Sequence, residues 1–281
     1  MEKLDKVVLF EIAKKLEMND LMNFLVSSKS VNRLVSKRDE LWRYKLKREF
    51  PNYFRIKGEL SLKETYIILY RLKLLKTKLG LGGDIYRLYF SNRVNLSWQA
   101  LTSIPKEIGL LNNLQELSLF GNNLSQLPKE VCYLRNLKIL ALSRNKLRDL
   151  PDQIIYLKDL QQLTLSANKF ENFPKVVTKL INLQILHLGE NKLENLPKEI
   201  GSLKKLRYLY LGNNILSNLP KEIGSLNNLQ ELWLAENLLE SLDALINLKN
   251  LKLLQITNNK IDNCSQEVKD LKNIIGLKIL D

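Results

Sequence analysis

The sequence repeats itself every 23 residues over 91–281, and this period constrains the fold more than any other feature of the chain. From Leu114 onward the pattern is L-x-x-L-x-L-x-x-N-x-L-x-x-L-P-x-x-I-x-x-L-x-x. A degenerate copy occupies 91–113, and the copy at Leu229 lacks the proline and one residue. One copy cannot bury its own leucines, so we expect the copies to stack into a curved array. The fullest copies begin at Leu114, Leu137, Leu160, Leu183 and Leu206.

Each copy contains signals for a strand, a turn and a convex segment. The inner leucines of L-x-x-L-x-L alternate at a period of two, which predicts a short strand. The Leu-Pro step ends that strand, and I-x-x-L predicts a short helix or extended turn on the convex side. An asparagine follows each strand, and its amide is expected to satisfy backbone groups of neighbouring turns. These asparagines are Asn122, Asn145, Asn168, Asn191, Asn214, Asn237 and Asn259.

This pattern resembles the leucine-rich-repeat family of the typical 23-residue type, roughly over residues 91–281. The resemblance implies an α/β fold, a leucine-rich-repeat solenoid with a curved parallel sheet of about eight to nine repeats. In this family the concave face of the sheet is expected to bind a protein partner.

Residues 1–90 lack the repeat, and their apolar spacing predicts short helices. Asn19-Asp20 can cap a second helix, and Ser61-x-x-Glu64 is a capping-box start for a later one. Glycines over 80–83 are expected to end that helix ahead of the repeats. These helices could serve only as an N-terminal cap for the solenoid.

A more specific interpretation comes from Leu4-x-x-x-Val8-Leu9-x-x-Ile12-x-x-x-Leu16-x-x-x-Asp20-Leu21, followed by Leu34 and Leu41-Trp42-Arg43. This series resembles an F-box, although Asp5, Val7 and Ser27 depart from the residues usual in that family. The resemblance implies docking to a Skp-type adaptor of a cullin ubiquitin ligase. The implied contacts are Leu4, Val8, Leu9, Ile12, Leu16 and Leu21, with Leu4, Val8 and Leu9 as exposed anchors.

These two resemblances divide the chain into three predicted domains. They are an F-box-like all-α domain at 1–50, a helical linker or N-terminal cap at 51–90, and the leucine-rich-repeat domain at 91–281. The implied function is the substrate-recognition subunit of a Skp–cullin–F-box ubiquitin ligase, with an unidentified target protein on the concave face. The alternative is a leucine-rich-repeat scaffold or regulator whose N-terminal helices only cap the solenoid.

Strand alternation predicts which side chains line the concave face. One column reads Asn95, Ser118, Ala141, Thr164, His187, Tyr210, Trp233, Gln255 and Lys278. Aromatic anchors rimmed by polar groups are typical of protein-binding hot spots, although cross-strand packing alone could also account for them. The predicted partner-binding residues are Ile185, His187, Tyr208, Tyr210, Glu231, Trp233 and Leu253, with a second patch at Trp98 and Phe120.

The chain is basic, with a formal net charge of +14, but its concave columns are not. Arg93, Arg144 and Lys278 are set there against Glu116, Glu190, Glu231 and Glu236, so a nucleic-acid partner is not expected. The single histidine, His187, and the two cysteines provide neither a zinc site nor a catalytic pair. We therefore expect no enzymatic activity, no metal or cofactor, and no small-molecule substrate.

The location and assembly of the protein can also be anticipated. No apolar run approaches the ~20 residues that cross a bilayer, and the first residues do not resemble a secretory signal. We expect a cytoplasmic protein, with the nucleus or, for a protein delivered by a pathogen, a host cytosol as alternatives. A monomer is expected, with dimerisation through the apolar C-terminal edge as the alternative.

Overall fold

The computed structural model describes residues 6–27, 29–36, 38–56, 60–261, 271 and 278–280. The chain divides into two compact units, Met1–Tyr89 and Phe90–Asp281. Leu4, one of the predicted adaptor contacts, lies outside the described residues.

The first unit is helical, as its sequence predicts. The capping box at Ser61 and Glu64 forms, since Ser61 Oγ accepts from Glu64 N at 3.2 Å and Glu64 Oε2 accepts from Ser61 N at 2.9 Å. Asn19 and Asp20 do not cap the second helix, because it begins one residue earlier, at Met18. The helices are α1 (Lys6–Lys15), α2 (Met18–Val26), α3 (Lys29–Val31, followed by a π-helical turn at Asn32–Ser36), α4 (Asp39–Glu49), α5 (Leu62–Lys78) and α6 (Ile85–Phe90).

One hydrophobic core runs through this unit on both sides of the predicted boundary at residue 50. Leu9 and Leu46 belong to it, and so do Tyr66 and Tyr86. The ring centroids of Trp42 and Tyr66 lie 5.7 Å apart, so α4 and α5 pack together at the centre. Helices 1–50 therefore share their packing with segments that follow them.

The second unit is built on a parallel sheet whose strands follow one another in sequence order. Consecutive strands pair with the register of the repeat, so that Leu117 lies opposite Leu140 and Leu140 opposite Leu163. Among the described residues these strands are β1 (Arg93–Asn95), β2 (Glu116–Ser118), β3 (Ile139–Ala141), β4 (Gln162–Thr164), β5 (Ile185–His187), β6 (Tyr208–Tyr210), β7 (Glu231–Trp233), β8 (Leu253–Gln255) and β9 (Lys278–Leu280).

A 3₁₀ helix follows each Leu-Pro step, which confirms the short convex helix expected from I-x-x-L. The proline occupies the residue before the helix, where its fixed φ and missing N–H cost nothing. The copy at Leu229 has no proline, and its 3₁₀ helix is reduced to Asp243–Leu245. The other helices are Lys106–Leu110, Lys129–Tyr133, Asp152–Tyr156, Lys175–Lys179, Lys198–Ser202 and Lys221–Ser225.

The asparagines form the ladder that the sequence predicts. Asn191 Nδ2 donates to the carbonyl oxygens of Leu165 at 3.1 Å, Leu188 at 3.0 Å and Gly189 at 3.1 Å. Its Oδ1 accepts from the backbone N–H of Phe170 at 3.1 Å. One buried amide thus joins two neighbouring turns. The same pattern recurs at Asn122, Asn145, Asn168, Asn214, Asn237 and Asn259.

The position predicted for Lys278, in the column next to Gln255, is wrong by two residues. Lys278 pairs with Leu253, whereas Leu280 takes the place beside Gln255. A shift of two residues leaves every side chain on the same face of the sheet, so the apolar alternation could not distinguish the two registers.

Candidate protein-binding surface

The sheet brings the predicted partner-binding residues of β5 to β8 together. His187, Tyr210 and Trp233 lie opposite one another on three neighbouring strands, and we call them the aromatic row. A second column, Ile185, Tyr208, Glu231 and Leu253, runs beside it. Each of these residues is half-buried, while the leucine between them in each strand is buried.

The aromatic row is held by ring contacts and by one carboxylate. The rings of His187 and Tyr210 meet edge to face with centroids 4.1 Å apart, and Tyr210 stacks on Trp233 at 5.5 Å. Glu231 Oε2 accepts hydrogen bonds from the Tyr210 hydroxyl at 3.2 Å and from Trp233 Nε1 at 3.1 Å. These contacts fix the orientation of both large rings.

Beside the aromatic row lies an open groove of about 420 Å³, which we call the concave groove. Small residues, Gly189, Gly212 and Ala235, line it between the aromatic row and its other wall. The backbones of neighbouring copies approach closely here. A Cβ added to Gly189 would lie only 2.9 Å from the carbonyl oxygen of Gly212. The absence of side chains at Gly189 and Gly212 and the small methyl group of Ala235 keep the groove open.

The other wall of the concave groove is formed by Glu190, Asn213 and Glu236. All three have positive φ, of 54°, 55° and 56°. This left-handed backbone recurs at the equivalent position of other copies, at Trp98, Gly121, Arg144, Ala167 and Asn258. Sequence reasoning missed this conformation, although glycine and asparagine in the same column are its usual signal.

Burial changes the titration of two residues of the aromatic row. The pKa of His187 is lowered from its ordinary 6.5 because burial penalises the charged imidazole. The pKa of Tyr210 is raised, first by burial and then by the negative charge of Glu231. At neutral pH His187 is therefore uncharged and does not balance the carboxylates of the groove.

Two family models match the repeat copies. The model described as leucine-rich repeat region matches residues 153–281, and the model described as leucine rich repeat matches residues 112–170. Together with the parallel sheet and the asparagine ladder, these matches decide the fold. The repeat region is a leucine-rich-repeat solenoid.

Solved structures include several similar leucine-rich-repeat proteins. Internalin C2 of Listeria monocytogenes is 25% identical with a TM-score of 0.63, covering 74% of this chain and 90% of its own. The plant peptide hormone receptor RGFR1, solved in complex with RGF2, is 33% identical with a TM-score of 0.54, covering 64% of this chain and 30% of its own. A Leptospira interrogans leucine-rich-repeat protein is 33% identical with a TM-score of 0.40, covering 66% of this chain and 59% of its own.

This chain thus spans 59% of the Leptospira protein and about a third of the plant receptor chain. Comparison with curated proteins gave no match. A leucine-rich-repeat solenoid of this kind is a protein-interaction fold.

The second predicted patch of the solenoid lies apart from the aromatic row. Trp98 is 65% exposed and meets Phe120 edge to face, with centroids 5.2 Å apart. The intervening strands carry the smaller Ser118, Ala141 and Thr164 in the column of the aromatic row. The structure therefore does not join the two patches into one surface.

The predicted adaptor contacts separate into exposed and buried residues on α1 and α2. Val8 is 43% exposed and Ile12 is 37% exposed, and they lie one helical turn apart. The expectation that Leu9 is an exposed anchor is wrong, because its side chain packs in the helical core and is 4% exposed. Leu21 is fully buried and Leu16 half-buried against the same core.

Reactive side chains are scarce in the described part of the chain. The thiol of Cys132 is buried, and burial raises its pKa to about 12, so it stays protonated at neutral pH. No group of three or more His, Cys, Asp or Glu among the described residues could hold a metal ion. Within the same residues, no helix is both long and apolar enough to cross a bilayer.

Proposed function

We propose that this chain is a non-enzymatic binding protein whose concave groove takes a segment of a partner protein. The observation that carries the proposal is the aromatic row, whose rings are fixed by Glu231 beside an open groove. Large rings held in one orientation lose little conformational entropy when a partner covers them. Tyrosine and tryptophan in such positions are the residues that most often dominate binding energy.

Cross-strand packing alone accounts less well for this arrangement. Packing between strands needs neither the hydroxyl of Tyr210 nor the indole N–H of Trp233, yet both bond to the same carboxylate. The rings also stand beside glycines, which leave a groove where packing would favour larger side chains. Both features support a surface that is kept ready for a partner.

A random 12-residue peptide library displayed on phage, selected against the purified full chain, tests this proposal. Selected peptides should lose at least about tenfold in affinity for the Tyr210→Ala/Trp233→Ala variant, which removes the centre of the aromatic row. The matched control is Tyr133→Ala/Tyr156→Ala, which removes another stacked pair, 6.1 Å apart, on the 3₁₀ helices. Equal losses in both variants, or no selected peptide that depends on the row, would contradict the proposal.

A second candidate function concerns the first unit and rests on the exposed Val8 and Ile12 of α1. We propose that they dock a Skp-type adaptor, which would make the chain a substrate receptor of a cullin ubiquitin ligase in a cytoplasm or nucleus. No F-box is detected by the family models, so this proposal rests on the exposed side chains and on the sequence resemblance.

Direct binding of the purified chain to the Skp adaptor tests this second proposal. Val8→Asp/Ile12→Asp places two charges on the exposed face of α1 and should abolish binding while the helices stay folded. Leu9→Asp is unsuitable, because a charge in the helical core would unfold the unit. Ile181→Asp, at an exposed apolar residue of the solenoid, is the matched control. Absence of binding by the folded wild-type chain would end this proposal and leave the first one standing.

A further inference from the structure

The concave groove is locally acidic in a chain that is strongly basic. The formal net charge of the sequence is +14. The described residues that line the groove include Glu190 and Glu236 but no lysine or arginine. Glu231 lies at its edge, against the aromatic row. A groove whose charge is opposite to the net charge of the chain favours a cationic ligand over an anionic one.

The carboxylates of the groove differ in how much of their hydrogen-bonding capacity is used. One oxygen of Glu231 already accepts from Tyr210 and Trp233. One oxygen of Glu236 accepts from Asn213 Nδ2 at 2.9 Å. The exposed side chain of Glu190 has no hydrogen-bond or ion-pair partner among the described residues. Glu190 and Glu236 therefore keep acceptor oxygens for a ligand.

The opposite wall suits the same kind of group. A guanidinium or ammonium within about 6 Å of an aromatic face is attracted by the negative potential of the ring, and tryptophan is the strongest ring. Trp233 lines the same groove as Glu190 and Glu236, and neutral His187 adds no competing positive charge. A guanidinium can stack on an aromatic ring and donate hydrogen bonds to carboxylates, so a groove lined by both suits this group.

The dimensions of the groove favour an extended chain. Its lining residues come from five neighbouring copies, those of β4 to β8, which at about 4.8 Å spacing cover ~19 Å, the length of about six extended residues. The glycines between the walls allow a backbone to approach the sheet closely.

We propose that the concave groove takes an extended peptide segment that places an arginine or lysine side chain between Trp233 and the carboxylates of Glu190 and Glu236. This inference rests on the proposed binding function and names its ligand chemistry. A single nucleic-acid strand could stack on the same rings, but its phosphates would lie against these carboxylates.

The peptides selected against the full chain provide the test. We expect the groove-dependent peptides to share an arginine or lysine. In a synthetic copy of the strongest one, citrulline in place of an arginine, or norleucine in place of a lysine, largely keeps the shape and removes the charge, and should weaken binding at least about tenfold. Glu190→Gln/Glu236→Gln should weaken binding of the original peptide similarly. Glu194→Gln/Glu240→Gln changes the same charge in the same repeats outside the groove and should have no effect.

The possible results separate the two proposals. Groove-dependent peptides that carry no basic residue, or that bind the two glutamine variants equally, would overturn this inference and leave the binding function intact. Binding of oligothymidylate that is lost in Tyr210→Ala/Trp233→Ala would also overturn this inference, because the groove would then accept an anionic ligand. If no selected peptide depends on the aromatic row, the binding function fails and this inference fails with it.

Discussion

Tyr210 and Trp233 stack with their ring centroids 5.5 Å apart and an angle of 24° between the ring planes, and both donate a hydrogen bond to Glu231 Oε2. Glu231 and Trp233 belong to one strand, β7, whereas Tyr210 belongs to β6. The carboxylate therefore couples two strands through their side chains, on the open face of the sheet. This coupling makes the geometry of the aromatic row depend on one residue.

Glu231→Ala should release both rings and change the titration of Tyr210. The pKa of Tyr210 is raised by burial and, to a smaller extent, by Glu231, so the variant should lower the pKa while leaving it above the ordinary value. The ¹³Cζ resonance of the labelled ring measures this pKa directly. Glu240→Ala, at an exposed glutamate outside the groove, should leave it unchanged. An unchanged pKa in Glu231→Ala would mean that the carboxylate does not hold the ring in solution.

The asparagine ladder should contribute more to stability than exposed asparagines in the turns that precede the strands, such as Asn182. Asn191→Ala leaves the buried N–H of Phe170 without a partner and removes one of the two hydrogen bonds that the carbonyl oxygens of Leu165, Leu188 and Gly189 each accept, which should cost about 2 to 3 kcal/mol of unfolding free energy. Asn182→Ala removes only exposed hydrogen bonds, one to the carbonyl of Lys158 and one from Lys205 Nζ, and should cost about 1 kcal/mol or less. Urea denaturation of both variants measures the difference, and similar losses would contradict the assigned role of the ladder.

The repeat pattern predicts this part of the molecule well for a physical reason. Each copy repeats the same alternation, so the register of one strand pair fixes the next, and the buried corner requires a side chain such as Asn191 with both a donor and an acceptor. The same alternation predicts that His187, Tyr210 and Trp233 lie side by side, and the strand pairing confirms it. Whether they bind a partner stays a prediction.

Other features depend on information that alternation lacks. A shift of two residues keeps the faces of the last strand, so alternation alone predicts the wrong partner for Lys278. On α1, Leu9 and Val8 are adjacent apolar residues, and helical spacing alone cannot decide which of two overlapping stripes faces the core. The left-handed backbone at Glu190 is not accompanied by any pattern of apolar residues from which it could be predicted.

The left-handed position of each copy should tolerate glycine better than a strand position does. Ala167 has a φ of 52°, a conformation that costs about 1 kcal/mol for a residue with a Cβ, so Ala167→Gly should stabilise the chain or leave its stability unchanged. Ala141 lies in β3, where Ala141→Gly should destabilise by about 0.5 to 1 kcal/mol. Thermal unfolding of the two variants is the measurement, and a larger loss for Ala167→Gly would reject the assigned backbone.

His187 should give the solenoid a small loss of stability in mild acid. Because its pKa is below 6.5 in the folded state, the unfolded chain takes up the proton first as the pH falls through 6.5. As the pH falls from 6.5 to the lowered folded pKa, the unfolding free energy of the wild-type chain should therefore decrease relative to that of His187→Gln. Above pH 6.5 the difference between the two should not change with pH.

The same residue allows a direct test, because it is the one histidine of the sequence and gives a single Hε1 resonance. We expect that resonance to titrate below 6.5 in the wild-type chain. Tyr210→Ala removes the ring whose centroid lies 4.1 Å away and admits water to the imidazole, so the pKa should rise towards 6.5. Tyr133→Ala, at an exposed ring on the 3₁₀ helices, should leave it unchanged. An ordinary pKa of His187 in the wild-type chain would show that its imidazole is open to solvent and is not packed against Tyr210.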